Sequence, residues 1–139
     1  MRQITSSVEE TREMGARLAR KAQPGEVYAL EGDLGCGKTE FVRGFVQELT
    51  PGAIVRSPTF SIVNTYQTPR FPVYHFDFYR MSDPEELDTI GFDEYAISDA
   101  VCLIEWGTMF TDYLPPNTKF IRFMEEDVQS RIIEADFEF

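Results

Sequence analysis

Helical and extended spacings of apolar residues alternate along the first fifty residues of the chain. The segment 7–22 begins with Ser-Val-Glu-Glu, a capping box, and then carries apolar residues at helical spacing until a Pro-Gly pair. Residues 27–30 form a short apolar run that is typical of a buried strand. A glycine-rich turn over 32–37 precedes a second apolar helical face over 41–49, which another Pro-Gly pair ends.

The middle of the chain is rich in aromatic and β-branched residues. Residues 60–66 and 73–79 predict two strands, with two prolines between them. Asp83-Pro84 places a capping residue and then a proline at the start of a short helix. The apolar run 101–104 predicts a further buried strand.

The last third predicts an antiparallel hairpin built from residues 120–124 and 131–137, with the acidic run 125–127 as a solvated tip. Strands that alternate with helices predict the α/β class, here a P-loop fold with a mostly parallel central sheet, flanking helices and a C-terminal antiparallel hairpin. The chain has 139 residues and shows no internal repeat or Gly/Ser linker, so we expect a single domain over 1–139.

The net charge of the chain limits the kinds of molecule that it is expected to bind. The chain carries 13 Lys and Arg against 24 Asp and Glu, which gives a formal net charge of −11. Neutralising nucleic-acid phosphates requires clustered cations, so this balance argues against strong direct nucleic-acid binding and against an anionic membrane surface. Hydrophobic residues make up 42% of the chain, enough to bury a core, so extensive disorder is not expected.

The cysteine content and the lack of long apolar segments indicate the cellular compartment of the protein. The two cysteines, Cys36 and Cys102, are too few for a disulfide framework. The N-terminal residues lack the apolar region of a signal peptide, and no window reaches the ~18 apolar residues of a membrane span. These features predict a cytoplasmic protein without a membrane partner.

Residues 32–39 read GDLGCGKT and match the phosphate-loop pattern GxxxxGK[ST] at every fixed position. Glycines let the backbone curl so that successive amides face phosphate oxygens, and the following helix points its N-terminus at the same charge. In such loops the lysine, here Lys38, reaches the terminal phosphates and the hydroxyl of Thr39 binds magnesium. Cys36 lies inside the loop near a helix N-terminus, which lowers thiol pKa values, but a small side chain at a variable position is the favoured interpretation.

Two carboxylates follow predicted strands, where α/β sheets place their ligands. Asp77 and Glu105 are therefore candidates for organising magnesium and orienting the attacking water. His75, the only histidine, is interpreted as a packed, hydrogen-bonded core residue in preference to a catalytic base. The loop Ser57-Pro58-Thr59 is either a segment that senses the γ-phosphate or an ordinary Ser-Pro turn, and the sequence leaves both open.

The sequence favours adenine over guanine as the base. Asp88-Thr89-Ile90-Gly91 imitates the DxxG motif of GTPases, but it follows a polar helix start and not a buried strand. Neither asparagine of the chain, Asn64 or Asn117, stands in a guanine-reading NKxD motif.

Together these motifs resemble the TsaE (YjeE) family, small bacterial ATPases of tRNA threonylcarbamoyladenosine biosynthesis. The similarity runs in family order from about Thr11 to Trp106, and beyond it only a strand pattern with Arg131 matches. The matching islands are 32–39, 41–44, 57–60, 74–80, 83–87 and 105–106.

The resemblance implies ATP and Mg²⁺ as cofactors and the TsaD and TsaB proteins as partners, with hydrolysis acting as a switch on that pair. It implies catalytic roles for Lys38, Asp77 and Glu105, metal ligation by Thr39, Asp77 and Glu105, and a switch or partner-facing position for Ser57, Thr59 and Trp106. The implied nucleotide-binding positions are Thr11, Gly32, Asp33, Leu34, Gly35, Cys36, Gly37, Lys38, Thr39 and Glu40.

Three positions depart from the family pattern. Cys36 stands where Ala is usual, and Glu40 replaces a common Thr and adds a negative charge next to Thr39. Ser130 stands where Gly often precedes Arg131, which weakens a role for that arginine.

The residues also leave two other functions open. One is an independent P-loop kinase of a small metabolite, although the arginines of the chain are scattered and do not form a lid cluster. The other is a binding module that changes shape with ATP and releases it intact. The acidity further suggests docking on a basic protein surface where tRNA otherwise sits, so we expect competition with tRNA for the partner pair.

Overall fold

The computed structural model describes residues 1–33, 35–58 and 62–139. The strands within these ranges are β1 (Arg2–Thr5), β2 (Val27–Glu31), β3 (Val63–Tyr66), β4 (Val73–Asp77), β5 (Val101–Glu105), β6 (Lys119–Glu125) and β7 (Arg131–Ala135). The helices are α1 (Val8–Lys21), α2 (Lys38–Leu49), α3 (Glu85–Thr89), α4 (Phe92–Ala96) and a 3₁₀ segment (Gly107–Tyr113). Each element that the sequence predicted is present, and the predicted 60–66 strand is described from Val63 onward.

The strands form one sheet in the order β1-β7-β6-β2-β5-β4-β3. The four central strands β6, β2, β5 and β4 are parallel to one another, which confirms the α/β class. The predicted C-terminal hairpin is also present, since β6 and β7 pair antiparallel. The predicted mostly parallel sheet is found only in part: its centre is parallel, whereas β1, β7 and β3 pair antiparallel at its two sides.

Three elements were not predicted from the sequence: β1, α4 and the 3₁₀ segment. The first strand is short and three of its four residues are exposed, so it carries no alternation that a local pattern could reveal. It forms because β7 offers an unpaired edge, along which Arg2 lies opposite Glu134. A pairing partner 132 residues away in the chain leaves no local signal.

Helices cover the two faces of the sheet. Successive residues of a strand point to opposite faces. Val101 and Leu103 of β5 accordingly join the core cluster beneath α1 and α2, whereas Cys102 and Ile104 join the cluster beneath α3 and α4. In the second cluster Phe76 and Phe78 both contact Phe92 edge-on, at centroid distances of 5.3 and 5.5 Å. These contacts hold the end of β4 on both sides of Asp77.

The helices α1 and α2 touch through their backbones. A Cβ atom on Gly44 would lie 1.9 Å from the carbonyl oxygen of Arg12, and one on Gly15 would lie 2.0 Å from that of Phe41. Both distances are far below van der Waals contact, so these positions admit only glycine at the observed helix spacing. Gly15 therefore serves helix packing and thereby sets the position of α2, whose first residue is Lys38.

Among the described residues, no helix is long and apolar enough to cross a lipid bilayer.

Candidate functional site

A cleft of about 750 Å³ opens where the parallel strands β2, β4 and β5 end. Parallel sheets place ligands at this carboxyl edge. Its walls come from the start of α1, the loop before α2, two strand ends and the turn between β6 and β7. The lining residues are Ser7, Val8, Glu9, Thr11, Gly35, Gly37, Lys38, Thr39, Glu40, Ser57, Asp77, Glu105, Trp106, Val128, Gln129 and Arg131.

The glycine-rich loop has the backbone geometry of an anion cradle. Gly35 and Gly37 adopt φ values of 78° and 101°, which side chains with a Cβ rarely tolerate. Because α2 begins at Lys38, the amides of its first turn have no hydrogen-bond partner inside the helix. They lie at the end of α2 that borders the cleft. Leu34, another predicted nucleotide-binding position, lies outside the described residues.

Three predicted loop positions lie away from the cleft. Gly32, Asp33 and Cys36 line a separate depression of about 470 Å³ beside β6. Burial raises the pKa of the Cys36 thiol, and the nearby Lys38 charge offsets this only in part, so the expected lowering at a helix N-terminus is wrong. Cys36 instead belongs to the hydrophobic core, as does Cys102, whose pKa burial raises to about 12.

Lys38 is a buried cation without a carboxylate hydrogen bond. Its side chain is 4% exposed, and Nζ donates a hydrogen bond to the carbonyl oxygen of Gly32 at 2.5 Å. The same Nζ lies 3.9 Å from the centre of the Trp106 ring. Burial lowers the pKa of Lys38, and the charges of Glu105 and other acids oppose that shift. A desolvated ammonium group held by neutral partners favours exchange of those partners for an anion.

Asp77 and Glu105 lie opposite each other at the ends of the neighbouring strands β4 and β5. Asp77 accepts hydrogen bonds from the Ser57 hydroxyl at Oδ2, 3.2 Å away, and from the Tyr79 amide at Oδ1, 2.9 Å away. Ser57, predicted to lie in a switch-like loop, is thus tied to a predicted metal ligand. Thr59 lies outside the described residues.

His75 is fully buried and hydrogen-bonded, as the sequence predicted for a core histidine. Its partner is Glu105, whose Oε2 lies 2.5 Å from His75 Nε2. Although His75 and Asp77 share one strand, the side chain that His75 contacts is on the adjacent strand.

Trp106 closes one side of the cleft through an uncommon backbone conformation. Its φ of 62° makes it the one positive-φ residue other than glycine among residues 1–33, 35–58 and 62–139. This turn directly after β5 brings the indole over Lys38, and the ring also contacts Tyr79, at a centroid distance of 4.9 Å. Strain of this kind concentrates at functional sites, because surrounding contacts must hold it.

Thr11 lines the cleft, but its hydroxyl is engaged elsewhere. Thr11 Oγ1 lies 2.8 Å from Thr5 Oγ1 in a buried hydrogen bond between α1 and β1. Its methyl group faces the loop, 3.4 Å from where a Cβ on Gly37 would be. Thr11 thus lines the cleft with its methyl group toward the loop, and its nucleotide-binding role stays a prediction.

The turn between β6 and β7 is a wall of the cleft, which the sequence did not predict. Val128, Gln129 and Arg131 line the cleft, and Arg131 Nη2 donates to the carbonyl oxygen of Gly35 at 3.2 Å. The predicted solvated tip is correct for the exposed residues 125–127, but the following residues reach back to the loop. No local motif marks them, because β6 joins the sheet beside β2 only in the folded chain.

The negative charge of Glu40 is balanced by two arginines. Glu40 accepts a hydrogen bond from Arg12 Nε at 2.6 Å and another from Arg43, which also donates to the carbonyl oxygen of Val55 at 2.7 Å. Burial opposes ionisation of Glu40, but the hydrogen bonds from Arg12 and Arg43 outweigh it and lower the Glu40 pKa. The network joins α1, α2 and the segment that leads to Ser57.

Glu40→Gln is expected to lower the free energy of unfolding by about 1 kcal/mol at pH 7. Because the Glu40 pKa is lower in the folded chain, its charge stabilises above the ordinary value of 4.5 and loses this effect as the pH falls through the folded-state pKa. Urea denaturation from pH 7 to pH 3.5 should show the difference between wild type and variant narrowing toward acid. Glu126→Gln, on the exposed turn, is the control and should show no such difference. A difference that stays constant with pH would contradict the role of the Glu40 charge.

The residues at the cleft fit a magnesium ion held together with phosphates. Thr39, Asp77 and Glu105 supply a hydroxyl and two carboxylates, the oxygen donors that Mg²⁺ prefers. The described residues contain no group of three or more His, Cys, Asp or Glu side chains that could hold a metal by themselves. Mg²⁺ keeps several waters and uses one or two carboxylates plus substrate phosphates.

Comparison with known proteins decides the family. The sequence model described as "Threonylcarbamoyl adenosine biosynthesis protein TsaE" matches residues 5–133, nearly the whole chain. The chain belongs to the TsaE family. The resemblance predicted from the motifs is thereby confirmed, and the match extends through the C-terminal hairpin.

Curated members of the TsaE family support this assignment. The chain is 45% identical over 111 residues to the tRNA threonylcarbamoyladenosine biosynthesis protein TsaE of Bacillus subtilis, covering 80% of this chain and 69% of the relative. It is 38% identical to that of Rickettsia felis, covering 81% and 66%, and 36% identical to that of Treponema pallidum, covering 85% and 87%. The match thus spans about two thirds of the first two relatives.

A solved structure shows the same fold. The crystal structure of Bacillus subtilis YdiB superposes with a TM-score of 0.83 at 36% sequence identity, covering 97% of this chain and 83% of that chain. The similarity extends across the seven-stranded sheet and both helical layers.

Proposed function

We propose that this chain binds ATP with Mg²⁺ in the cleft and hydrolyses it, and that this ATPase acts as a switch on the TsaD–TsaB pair in tRNA threonylcarbamoyladenosine biosynthesis. The observation that carries the proposal is the convergence of Lys38, Asp77 and Glu105 on one cleft beside a glycine-rich loop. The pathway comes from the family to which the chain belongs and from the names of its relatives, and the partners come from the resemblance to that family.

The phosphates fit the end of the cleft formed by the loop and α2. There the amides of residues 35–39 surround the anion, and Lys38 exchanges its hydrogen bond to Gly32 for one to a terminal phosphate oxygen. Thr39 and Asp77 hold Mg²⁺, which when bound neutralises charge on the phosphates and fixes their orientation. The nucleoside fits the other end, between two exposed apolar side chains, Val8 and Val128.

Glu105 is the residue best placed to act on the attacking water. Its carboxylate is 4% exposed and lines the cleft opposite Asp77. Asp77 accepts through both of its oxygens, from Ser57 and Tyr79, whereas the hydrogen bond of Glu105 to His75 engages Oε2 and leaves Oε1 to accept from water on the cleft side. The water attacks the terminal phosphorus, the bond to the bridging oxygen breaks, and ADP leaves with that oxygen.

The charge of the chain suits a protein partner better than tRNA. A domain with a net charge of −11 is repelled by RNA phosphates and attracted to basic protein surface. A metabolite kinase is less well supported, since such enzymes clamp phosphates with several cations. Among the described arginines only Arg131 lines the cleft, and it is engaged with backbone carbonyls.

The test is release of phosphate from ATP by the chain alone and with purified TsaD and TsaB. Activity that rises several-fold with the partners supports the switch, whereas turnover that is unchanged or absent with them removes the assignment to this pathway.

Glu105→Gln should keep nucleotide affinity and lose turnover; a module that only binds ATP would show no turnover in either protein. Trp106 is the sole tryptophan and contacts Lys38, so its fluorescence should change with saturating ATP.

A further inference from the structure

His75 and Glu105 form a buried diagonal pair beneath the cleft. In the register of β4 and β5, His75 lies opposite Leu103 and Asp77 lies opposite Glu105. All four residues therefore point to the same face of the sheet, and His75 and Glu105 are diagonal neighbours, within reach of long side chains. The His75 side chain is 0% exposed and that of Glu105 is 5% exposed.

The hydrogen bonds of the pair indicate where the imidazole carries its hydrogen. An ionised Glu105 only accepts, so the 2.5 Å contact between His75 Nε2 and Glu105 Oε2 requires a hydrogen on Nε2. Nδ1 is the one buried side-chain nitrogen or oxygen without a partner among residues 1–33, 35–58 and 62–139. With its hydrogen on Nε2 the ring pairs its N–H with Glu105, whereas a hydrogen on Nδ1 would leave a buried N–H donor unpaired. The hydrogen on Nε2 therefore costs less.

We propose that His75 is a positioning residue whose Nε2–H holds Oε2 of Glu105, so that the other oxygen of that carboxylate is presented to the cleft. This inference rests on the proposed role of Glu105 in ATP hydrolysis. When a hydrogen bond holds one oxygen of a carboxylate, the other oxygen is left to accept from water or to contact a bound ion. Hydrogen bonds of this kind orient the acidic ligands of active sites.

Without His75, Glu105 has a competing partner close by. Glu105 and Lys38 line the same cleft, yet Lys38 donates its hydrogen bond to Gly32 and Glu105 accepts from His75. If the histidine donor is lost, attraction between these two opposite charges draws Glu105 toward Lys38. A carboxylate drawn in that direction is turned away from water. His75 thus keeps two oppositely charged residues apart.

Two substitutions separate the hydrogen bond from the volume of the ring. In His75→Gln the amide Nε2 is as many bonds from the backbone as the imidazole Nε2, so it keeps a donor near Glu105. In His75→Leu the volume stays apolar and the donor is lost. We expect kcat for phosphate release to fall about 10- to 100-fold in His75→Leu and to stay within about threefold of wild type in His75→Gln, with ATP affinity within about twofold in both.

Equal loss in the two variants, or wild-type turnover in His75→Leu, would overturn the proposal. So would loss of ATP affinity in parallel with kcat, because a general packing defect lowers both. Thermal unfolding of each variant shows the folded fraction to which the rates are normalised.

NMR tests the hydrogen bond without any catalytic readout. His75 is the only histidine, so the imidazole signals of the ¹⁵N-labelled chain need no assignment. Long-range ¹H–¹⁵N spectra should show a hydrogen on Nε2, and Glu105→Ala should shift that nitrogen and speed exchange of its hydrogen. A hydrogen on Nδ1 alone, or signals insensitive to Glu105→Ala, would overturn the pairing. This result stands apart from the proposed function, which fails if the wild-type chain with its partners releases no phosphate.

Discussion

Lys38→Met is expected to reduce phosphate release from ATP at least about 100-fold, without lowering the melting temperature. The methionine keeps the length and apolar stem of lysine but cannot hold a phosphate. The buried ammonium of Lys38 has no carboxylate hydrogen bond and pays a desolvation penalty, which shows in its lowered pKa. Removing that charge relieves the penalty, so stability should be unchanged or higher while activity is lost.

In Lys38→Met the activity should fall while the stability stays the same or rises, and this combination makes the experiment decisive. Phosphate release is measured with and without the partner proteins, and unfolding is followed by circular dichroism. Lys21→Met, at the exposed end of α1, is the matched control and should leave both quantities unchanged. Release above a tenth of the wild-type rate in Lys38→Met would contradict a phosphate-holding role. A large fall in melting temperature would instead make Lys38 a structural residue.

Gly44→Ala is expected to destabilise the fold by about 3 kcal/mol or more. In an ordinary helix interior, replacing glycine with alanine stabilises by about 1 kcal/mol, so the predicted sign is reversed. The reason is the carbonyl oxygen of Arg12, which would lie 1.9 Å from the new methyl group and belongs to the backbone of α1. A backbone atom cannot rotate away, so the two helices must separate and the core between them must open. Urea denaturation measures the change.

Gly52→Ala distinguishes steric contact from backbone conformation. Gly52 has a positive φ of 87°, but a Cβ there meets nothing within 4 Å. Its substitution should cost only about 1 kcal/mol, from strain in the left-handed region. If Gly44→Ala proves no more harmful than Gly52→Ala, the close approach of α1 and α2 is not a determinant of stability. Gly15→Ala should behave like Gly44→Ala, since it meets the Phe41 carbonyl oxygen at 2.0 Å.

Local sequence signals were sufficient for much of the fold and for the centre of the site. The helical and extended patterns predicted α1, α2 and the central strands because each buries a continuous apolar stripe or run. The phosphate-loop motif was visible because its glycines and its lysine lie within eight consecutive residues. Asp77 and Glu105 could be singled out because each directly follows an apolar run, and their meeting at neighbouring strand ends follows from parallel pairing.

What local signals missed depends on contacts between distant parts of the chain. The strand β1 exists through its pairing with β7, and Gln129 and Arg131 reach the cleft because β6 lies beside β2. The pairing of His75 with Glu105 required the register of two strands thirty residues apart.

By itself, the sequence determined the α/β class, the phosphate loop, the two strand-end acids and the family. Those features are each set by a few neighbouring residues, whose chemistry depends on spacing along the chain. The tertiary structure decided the antiparallel pairing of β1 and β3, the buried core position of Cys36, the neutralisation of Glu40 by Arg12 and Arg43, and the histidine beneath Glu105. Burial and charge compensation are properties of a three-dimensional neighbourhood, and only the fold assembles that neighbourhood from residues far apart in sequence.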